Sequence, residues 1–145
     1  MSTVSPFHLA IPVDDLSAAR HFYGELFGCD EGRSAEHWVD FDFFGHQLVC
    51  HLAPDHGRSG HQNPVDGDAV PVPHFGVVLP MADWQALAER LAEHLPAAGR
   101  AFIIEPRVRF RGEVGEQATF FLQDPAGNAL EFKAFADPSR LFASD

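Results

Sequence analysis

Residues 7–28 read FHLAIPVDDLSAARHFYGELFG, and the phase of this stretch decides the fold. Over 7–13 the side chains alternate. Phe7, Leu9, Ile11 and Val13 share one face, while His8, Ala10 and Pro12 share the other, which describes a strand with one apolar side. Asp14-Asp15-Leu16-Ser17 then sets helix-capping side chains at a turn. Ala19, Phe22, Tyr23 and Leu26 follow at helical spacing, and Gly28 closes the segment. Strand followed directly by amphipathic helix is the unit from which the rest of the chain can be read.

Downstream, Trp38 to Asp42 and His46 to Leu52 read as two strands joined around Phe44-Gly45. Residues 53–72 (APDHGRSGHQNPVDGDAVPV) hold three prolines and three glycines and read as a surface connection or lid without core-forming pattern. The order then restarts. HFGVVL (74–79) is strand-like, and a helix is expected from about Ala82 to Leu95 with Trp84, Leu87, Ala88, Leu91 and Leu95 on one face. Ala101 to Glu105 is the next strand candidate, and Gln117 to Gln123 and Ala129 to Phe135 flank the turn Asp124-Pro125-Ala126-Gly127-Asn128. The expectation is an α+β chain built from a duplicated βαβββ unit. Its first module covers about 6–53, the connection about 54–72 and the second module about 73–136, together one domain over 1–145.

Composition narrows the function classes. At 145 residues, 46% apolar and 21% charged, the chain suits one folded domain and excludes wholesale disorder. Ten basic against 21 acidic residues leave no basic stripe for displacing counterions from nucleic acid. No apolar run reaches the roughly 20 residues of a membrane span, and the start lacks the pattern of a leader, so a cytoplasmic location without membrane partners is expected. Cys29 and Cys50 lack metal-knuckle spacing and suit a reducing compartment as small apolar side chains. Nine histidines point towards metal chemistry.

Strand phase places four of the metal-ligand type together in kind. His8 lies opposite the apolar set of its strand, and Gln47, Val49 and His51 lie opposite Leu48, Cys50 and Leu52. His74 sits with Gly76 and Val78, and Glu131 with Ala129, Lys133 and Phe135. If the apolar faces take the helices, His8, His51, His74 and Glu131 are left on faces free to line a cavity. Imidazole and carboxylate with open positions suit iron, manganese, zinc or nickel over calcium. His21, His37, His46, His56, His61 and His94 are not expected to ligate. Arg107, Arg109 and Arg111 alternate in the only basic cluster. Arg107 and Arg109 are candidates for holding a substrate anion, with salt bridging as the other reading. Trp38 and Phe43 are candidate cavity walls.

FHLAIPVDDLSAARHFYGELFG, HFGVVL and the closing FFLQDPAGNALEF resemble the vicinal-oxygen-chelate superfamily, which holds glyoxalases, bleomycin-resistance proteins, fosfomycin-resistance enzymes, epimerases and extradiol dioxygenases. The likeness runs from about Pro6 to Phe135, and in particular the chain looks like small single-domain members described as extradiol-dioxygenase-like. The resemblance implies a cupped mixed sheet around a divalent metal, Fe(II) foremost, with zinc, nickel or manganese as other choices. It implies His8, His74 and Glu131 as ligands, with His51 either a fourth ligand or an acid or base beside the metal, and it implies a homodimer. Where the extradiol signature carries a tyrosine this chain has Phe121, placed to contact substrate, and Gly112, Glu113 and Val114 stand where a histidine is expected.

Three functions follow. One is oxidative cleavage of a small substrate with vicinal oxygens, in which His51 and Glu131 are the catalytic candidates. A second is redox-neutral proton transfer of glyoxalase or epimerase type, with Glu113 and Glu116 as further carboxylates. The third is metal-free capture of a small ligand.

Overall fold

A computed structural model describes residues 4–55 and 61–144, with the side chain of His61 left aside; His56 lies outside the described residues. The chain divides into two compact units, Met1–Arg58 with Asp124–Asn128, and Ser59–Gln123 with Ala129–Asp145. No described helix is long and apolar enough to cross a membrane.

The first unit runs β1 (His8–Val13), α1 (Leu16–Ala19) continuing as a π-helical segment (Arg20–Leu26), β2 (Glu31–Ala35), β3 (Trp38–Phe43) and β4 (His46–Leu52). Its sheet has the order β1-β4-β3-β2, with β1 parallel to β4 and the other pairs antiparallel. Asp15 caps α1 by accepting from Ala18 N at 3.1 Å. The helix widens after Ala19, and Phe27 N bonds Phe22 O five residues back. That widening seats two adjacent rings, Phe22 and Tyr23, in the core together. Tyr23 packs against Phe22, Phe27, Phe41 and Phe43.

A buried tyrosine needs a partner for its hydroxyl. Tyr23 Oη donates to Asp124 Oδ2 at 2.8 Å, and Asp124 also accepts from Ala126 N, Asn128 N and Asn128 Nδ2. Asn128 Nδ2 reaches Pro12 O at 2.8 Å. The DPAGN turn is therefore a buried hydrogen-bond hub of the first unit as well as a reversal between two strands. Burial first, and then the charge of Asp124, push the Tyr23 phenol up, which keeps it a donor.

The second unit holds a hairpin, β5 (His61–Val65) with β6 (Asp68–Val72), then β7 (Phe75–Val78), α2 (Met81–His94), β8 (Ile104–Arg109), β9 (Gln117–Gln123) and β10 (Ala129–Phe135). The order β7-β10-β9-β8, again with the one parallel pair between β7 and β10, repeats the topology of the first sheet. The expected pair of βαβββ modules is what the structure contains. Trp84 of α2 donates to Phe132 O at 2.9 Å and lies against Phe120, which stacks on Phe132. The helix thus covers the face of Phe120, Leu122, Leu130, Phe132 and Ala134, all five wholly buried.

Three local readings need correction. The connection is not featureless, because 61–72 form the β5–β6 hairpin and Val70 is buried. Its turn, Asp66-Gly67, has positive φ at both residues (43° and 86°), the backbone a two-residue hairpin requires. The strand expected at Ala101–Glu105 lies at Ile104–Arg109, since the alternating arginines themselves pair with β9. β2, EGRSA, has no counterpart among the expected strands; it is exposed throughout and so carries no apolar alternation.

Candidate functional site

The register of the two sheets can be compared position by position. In the first, His8 stands opposite Gln47 and Ala10 opposite Val49. In the second, Phe75 stands opposite Leu130 and Gly76 opposite Glu131. Superposing the strand starts, HLAIPV on HFGVVL, makes His74 the repeat of His8, Gly76 that of Ala10 and Glu131 that of Val49. The first module thus carries an apolar side chain where the second carries its carboxylate. His51 stands two residues beyond, exposed and opposite Trp38.

Within the second unit the helix-free face gathers His74, Glu131, Thr119, Phe121, Arg107 and Arg109. Glu131 is paired with Phe121 across β9, and Arg107 with Thr119 across β8. Gly76 is required beside Glu131, for a Cβ there would fall on the Glu131 carbonyl oxygen. His74 Nδ1 lies 2.7 Å from Pro71 O, a contact in which the ring nitrogen must donate because the carbonyl only accepts. Its Nε2 then faces Glu131 Oε1 at 3.2 Å. Two lone-pair atoms at that distance need positive charge between them, either a proton on the ring or a cation.

The Glu131 carboxylate is held on its other oxygen. Thr119 Oγ1 donates to Oε2 at 2.5 Å, and Arg109 Nη1 lies 3.7 Å from it. Burial by itself would raise the Glu131 pKa. The hydrogen bonds from His74 and Thr119 outweigh burial and bring it below the ordinary carboxylate value. The hydrogen bond to Glu131 raises His74 above the ordinary imidazole value against the opposing effect of its partial burial. Phe121, fully buried, meets the His74 ring edge-on at 4.9 Å and lies under the Arg109 guanidinium at 5.5 Å.

The arginines are already engaged. Arg109 Nη2 donates to Asp68 Oδ2 at 3.0 Å, and Arg107 reaches Asp68 and Asp66, each at 3.2 Å. Arg109 is 4% exposed, and its Nε is buried without a hydrogen-bond partner among the described residues. Arg107 and Arg109 thus make salt bridges within the second unit. Phe43 is likewise a core side chain, packed on Tyr23 and Phe44, and Trp38 is half-buried.

In the first unit, His8 is exposed and its Nδ1 lies 2.7 Å from Gln47 Oε1. Gln47 Nε2 donates to Asp40 Oδ2 at 3.1 Å. His46 accepts from Phe7 N through Nδ1 at 2.7 Å, and His21 pairs with Glu25 on its own helix.

Among the described residues no three His, Cys, Asp or Glu side chains converge as a metal cluster. What the structure brings together is the pair His74 and Glu131. The donor chemistry of that pair fits a divalent transition metal. One imidazole nitrogen is oriented by a carbonyl, and the other faces a carboxylate whose second oxygen is occupied, an arrangement common around metal-binding histidines. Sequence reasoning missed Thr119, Asp66, Asp68, Pro71, Gln47 and Asp40. Strand parity already put Gln47 on the face of His8, and the Asp66-Gly67 dipeptide was a hairpin signal.

Comparison with known proteins places these features in context. The model of the glyoxalase/bleomycin resistance protein/dioxygenase superfamily matches residues 5–132. A glyoxalase/bleomycin resistance protein/dioxygenase from Alicyclobacillus acidocaldarius is similar at 35% identity and a TM-score of 0.79, over 94% of this chain and 96% of that one. A lactoylglutathione lyase from Agrobacterium tumefaciens shares the fold at 20% identity and a TM-score of 0.64, over 99% of both chains. A genomically encoded fosfomycin resistance protein from Listeria monocytogenes does so at 19% and 0.61, over 97% of this chain and 99% of that one. Among curated proteins there is no match.

Proposed function

The chain belongs to the glyoxalase/bleomycin resistance protein/dioxygenase superfamily, and within it we propose a metal-dependent enzyme acting on a small substrate with vicinal oxygens, of the extradiol-dioxygenase-like kind. The proposed ligands are His74 and Glu131, with His8 as the third. The observation that carries this reading is the register repeat that puts Val49 in the place of a second carboxylate. Two histidines and one carboxylate leave positions open, the donor set suited to Fe(II) that must also take substrate and oxygen. When bound, the metal would supply Lewis acidity towards paired substrate oxygens and a site for O₂.

The chain's own residues prepare the ligands. Pro71 O orients His74, and Thr119 holds Glu131 Oε2, with Arg109 3.7 Å from the same oxygen, so that Oε1 faces His74. Phe121 packs its apolar ring edge-on against one side of His74. Arg107 and Arg109 serve this carboxylate network and the hairpin, and His51 stays outside the ligand set.

A second reading, redox-neutral proton transfer, is favoured by Phe121 itself, which offers no hydroxyl beside Glu131. Elemental analysis of anaerobically purified protein, followed by O₂ uptake with a panel of catechols, separates the two. Stoichiometric iron with uptake supports the oxidative reading. Zinc, nickel or manganese without uptake supports proton transfer. His74→Ala and Glu131→Ala are expected to weaken metal binding well over tenfold, with His51→Ala leaving it unchanged. Unchanged binding in the first two variants would refute the ligand assignment.

A further inference from the structure

The histidines of β1 and β4 are not set alike, and the difference follows from which atoms face them. Asp40 Oδ2 is 3.1 Å from the Gln47 carboxamide nitrogen, and a carboxylate oxygen accepts. That contact settles which way the carboxamide points, because its NH₂ is committed to Asp40. Its oxygen is therefore the atom 2.7 Å from His8 Nδ1. An amide oxygen cannot donate, so His8 must carry its proton on Nδ1. In the neutral ring this leaves Nε2 with a free electron pair.

His46, one strand position before Gln47, is set the other way. Its Nδ1 receives the Phe7 N–H at 2.7 Å, so in the neutral ring the proton is on Nε2. In the second module His74 also carries a proton on Nδ1, set by another route, the carbonyl of Pro71. The repeat of Gln47 in that module is Ala129, which has no group to do the work, as the register of β7 and β10 shows. The two histidines at equivalent strand positions thus both donate from Nδ1 although their partners are unrelated, while a neighbouring histidine outside the repeat accepts there.

We propose that Gln47, braced by Asp40, is a positioning residue that holds His8 in the Nδ1–H tautomer so that Nε2 is the nitrogen offered to a metal. The role in metal binding rests on the ligand reading above; the tautomer does not. Gln47 is exposed, so replacing it leaves the core intact.

The experiment is a long-range ¹H–¹⁵N correlation spectrum of the metal-free, full-length protein at mildly alkaline pH, recorded for wild type, Gln47→Leu and the double variant Gln47→Glu with Asp40→Asn. Zn²⁺ affinity is measured on the same samples by chelator competition. Wild type is expected to show His8 as Nδ1–H and His46, the internal reference, as Nε2–H. Gln47→Leu is expected to lose the His8 signature and bind Zn²⁺ about tenfold to hundredfold more weakly. Gln47→Glu combined with Asp40→Asn, in which an amide at 40 can donate to a carboxylate at 47 and leave its other oxygen for His8, is expected to restore the His8 signature. A wild-type His8 protonated on Nε2, or a Gln47→Leu spectrum unchanged at His8, overturns the proposal. A lost tautomer with unchanged Zn²⁺ affinity overturns the positioning role. Wild type that binds no Zn²⁺ refutes the metal reading and removes the ligand role of His8 with it, while the spectra alone still decide whether Gln47 sets the ring.

Discussion

His74 and Glu131 hold each other's charge, and the effect on stability can be given a sign. His74 is raised, chiefly by its hydrogen bond to Glu131. Its contribution is complete below the unfolded-state value near 6.5 and is lost as the pH rises through the higher folded value. Glu131 is lowered overall, its hydrogen bonds from His74 and Thr119 outweighing burial. Its contribution is present above an unfolded value of about 4.3 and is lost as the pH falls through the lower folded one. In chelator-treated protein, His74→Ala should therefore cost most stability between about pH 4.5 and 6.5 and less in alkali. Urea midpoints of wild type and variant at about pH 5.5 and about pH 9 measure this. Equal deficits at both would mean that the ring is not charged in the pair. His74 and Glu131 were legible from strand parity alone, because alternation is a local property. Thr119, Asp68 and Pro71 were not, since each acts across a turn or between strands far apart in sequence.

At the level of the element, the helices and most strands follow from periodicity, and the exceptions share a cause. β2 and the β5–β6 hairpin carry no apolar alternation, so pattern reading passes over them, although Asp66-Gly67 marks the turn. The parallel pairing of β7 with β10 depends on a different kind of signal, a missing side chain. Gly76→Ala would set a methyl group on the Glu131 carbonyl oxygen, where backbone must move. The expected cost is about 3 kcal/mol or more, with Glu131 displaced and metal binding lost alongside. Gly115→Ala, which meets open space, should stay within about 0.5 kcal/mol of wild type. Thermal or denaturant unfolding of the two variants compares them directly. A well-tolerated Gly76→Ala would contradict the close approach of these strands.

Across the whole chain, the repeat of order and register is what made the fold readable. Both modules place their only parallel pair between first and last strand, and both keep one apolar and one mixed face. The candidate site was readable only in part, because duplication predicts equivalent positions and not the side chains found there. Val49 in the place of a carboxylate is the case in point. Binding of a divalent ion to the folded chain alone should stabilise the whole molecule by about 2.7 kcal/mol at a hundredfold excess over Kd, or roughly 10 °C in melting temperature. Wild type melted with and without Fe(II) under anaerobic conditions should show the shift, and Glu131→Ala should not. A shift that survives in Glu131→Ala would place the ion elsewhere.

The two ways of orienting a histidine differ in what heredity can do to them. His74 leans on the main-chain oxygen of residue 71, which every amino acid possesses, so a codon change at that position alters the ring of Pro71 and leaves the acceptor in place. His8 leans on an amide side chain, which a single nucleotide change can replace. Under genetic drift the setting of His8 is therefore the more fragile inheritance, and lineages that have relaxed selection on this chemistry should reveal it first at position 47.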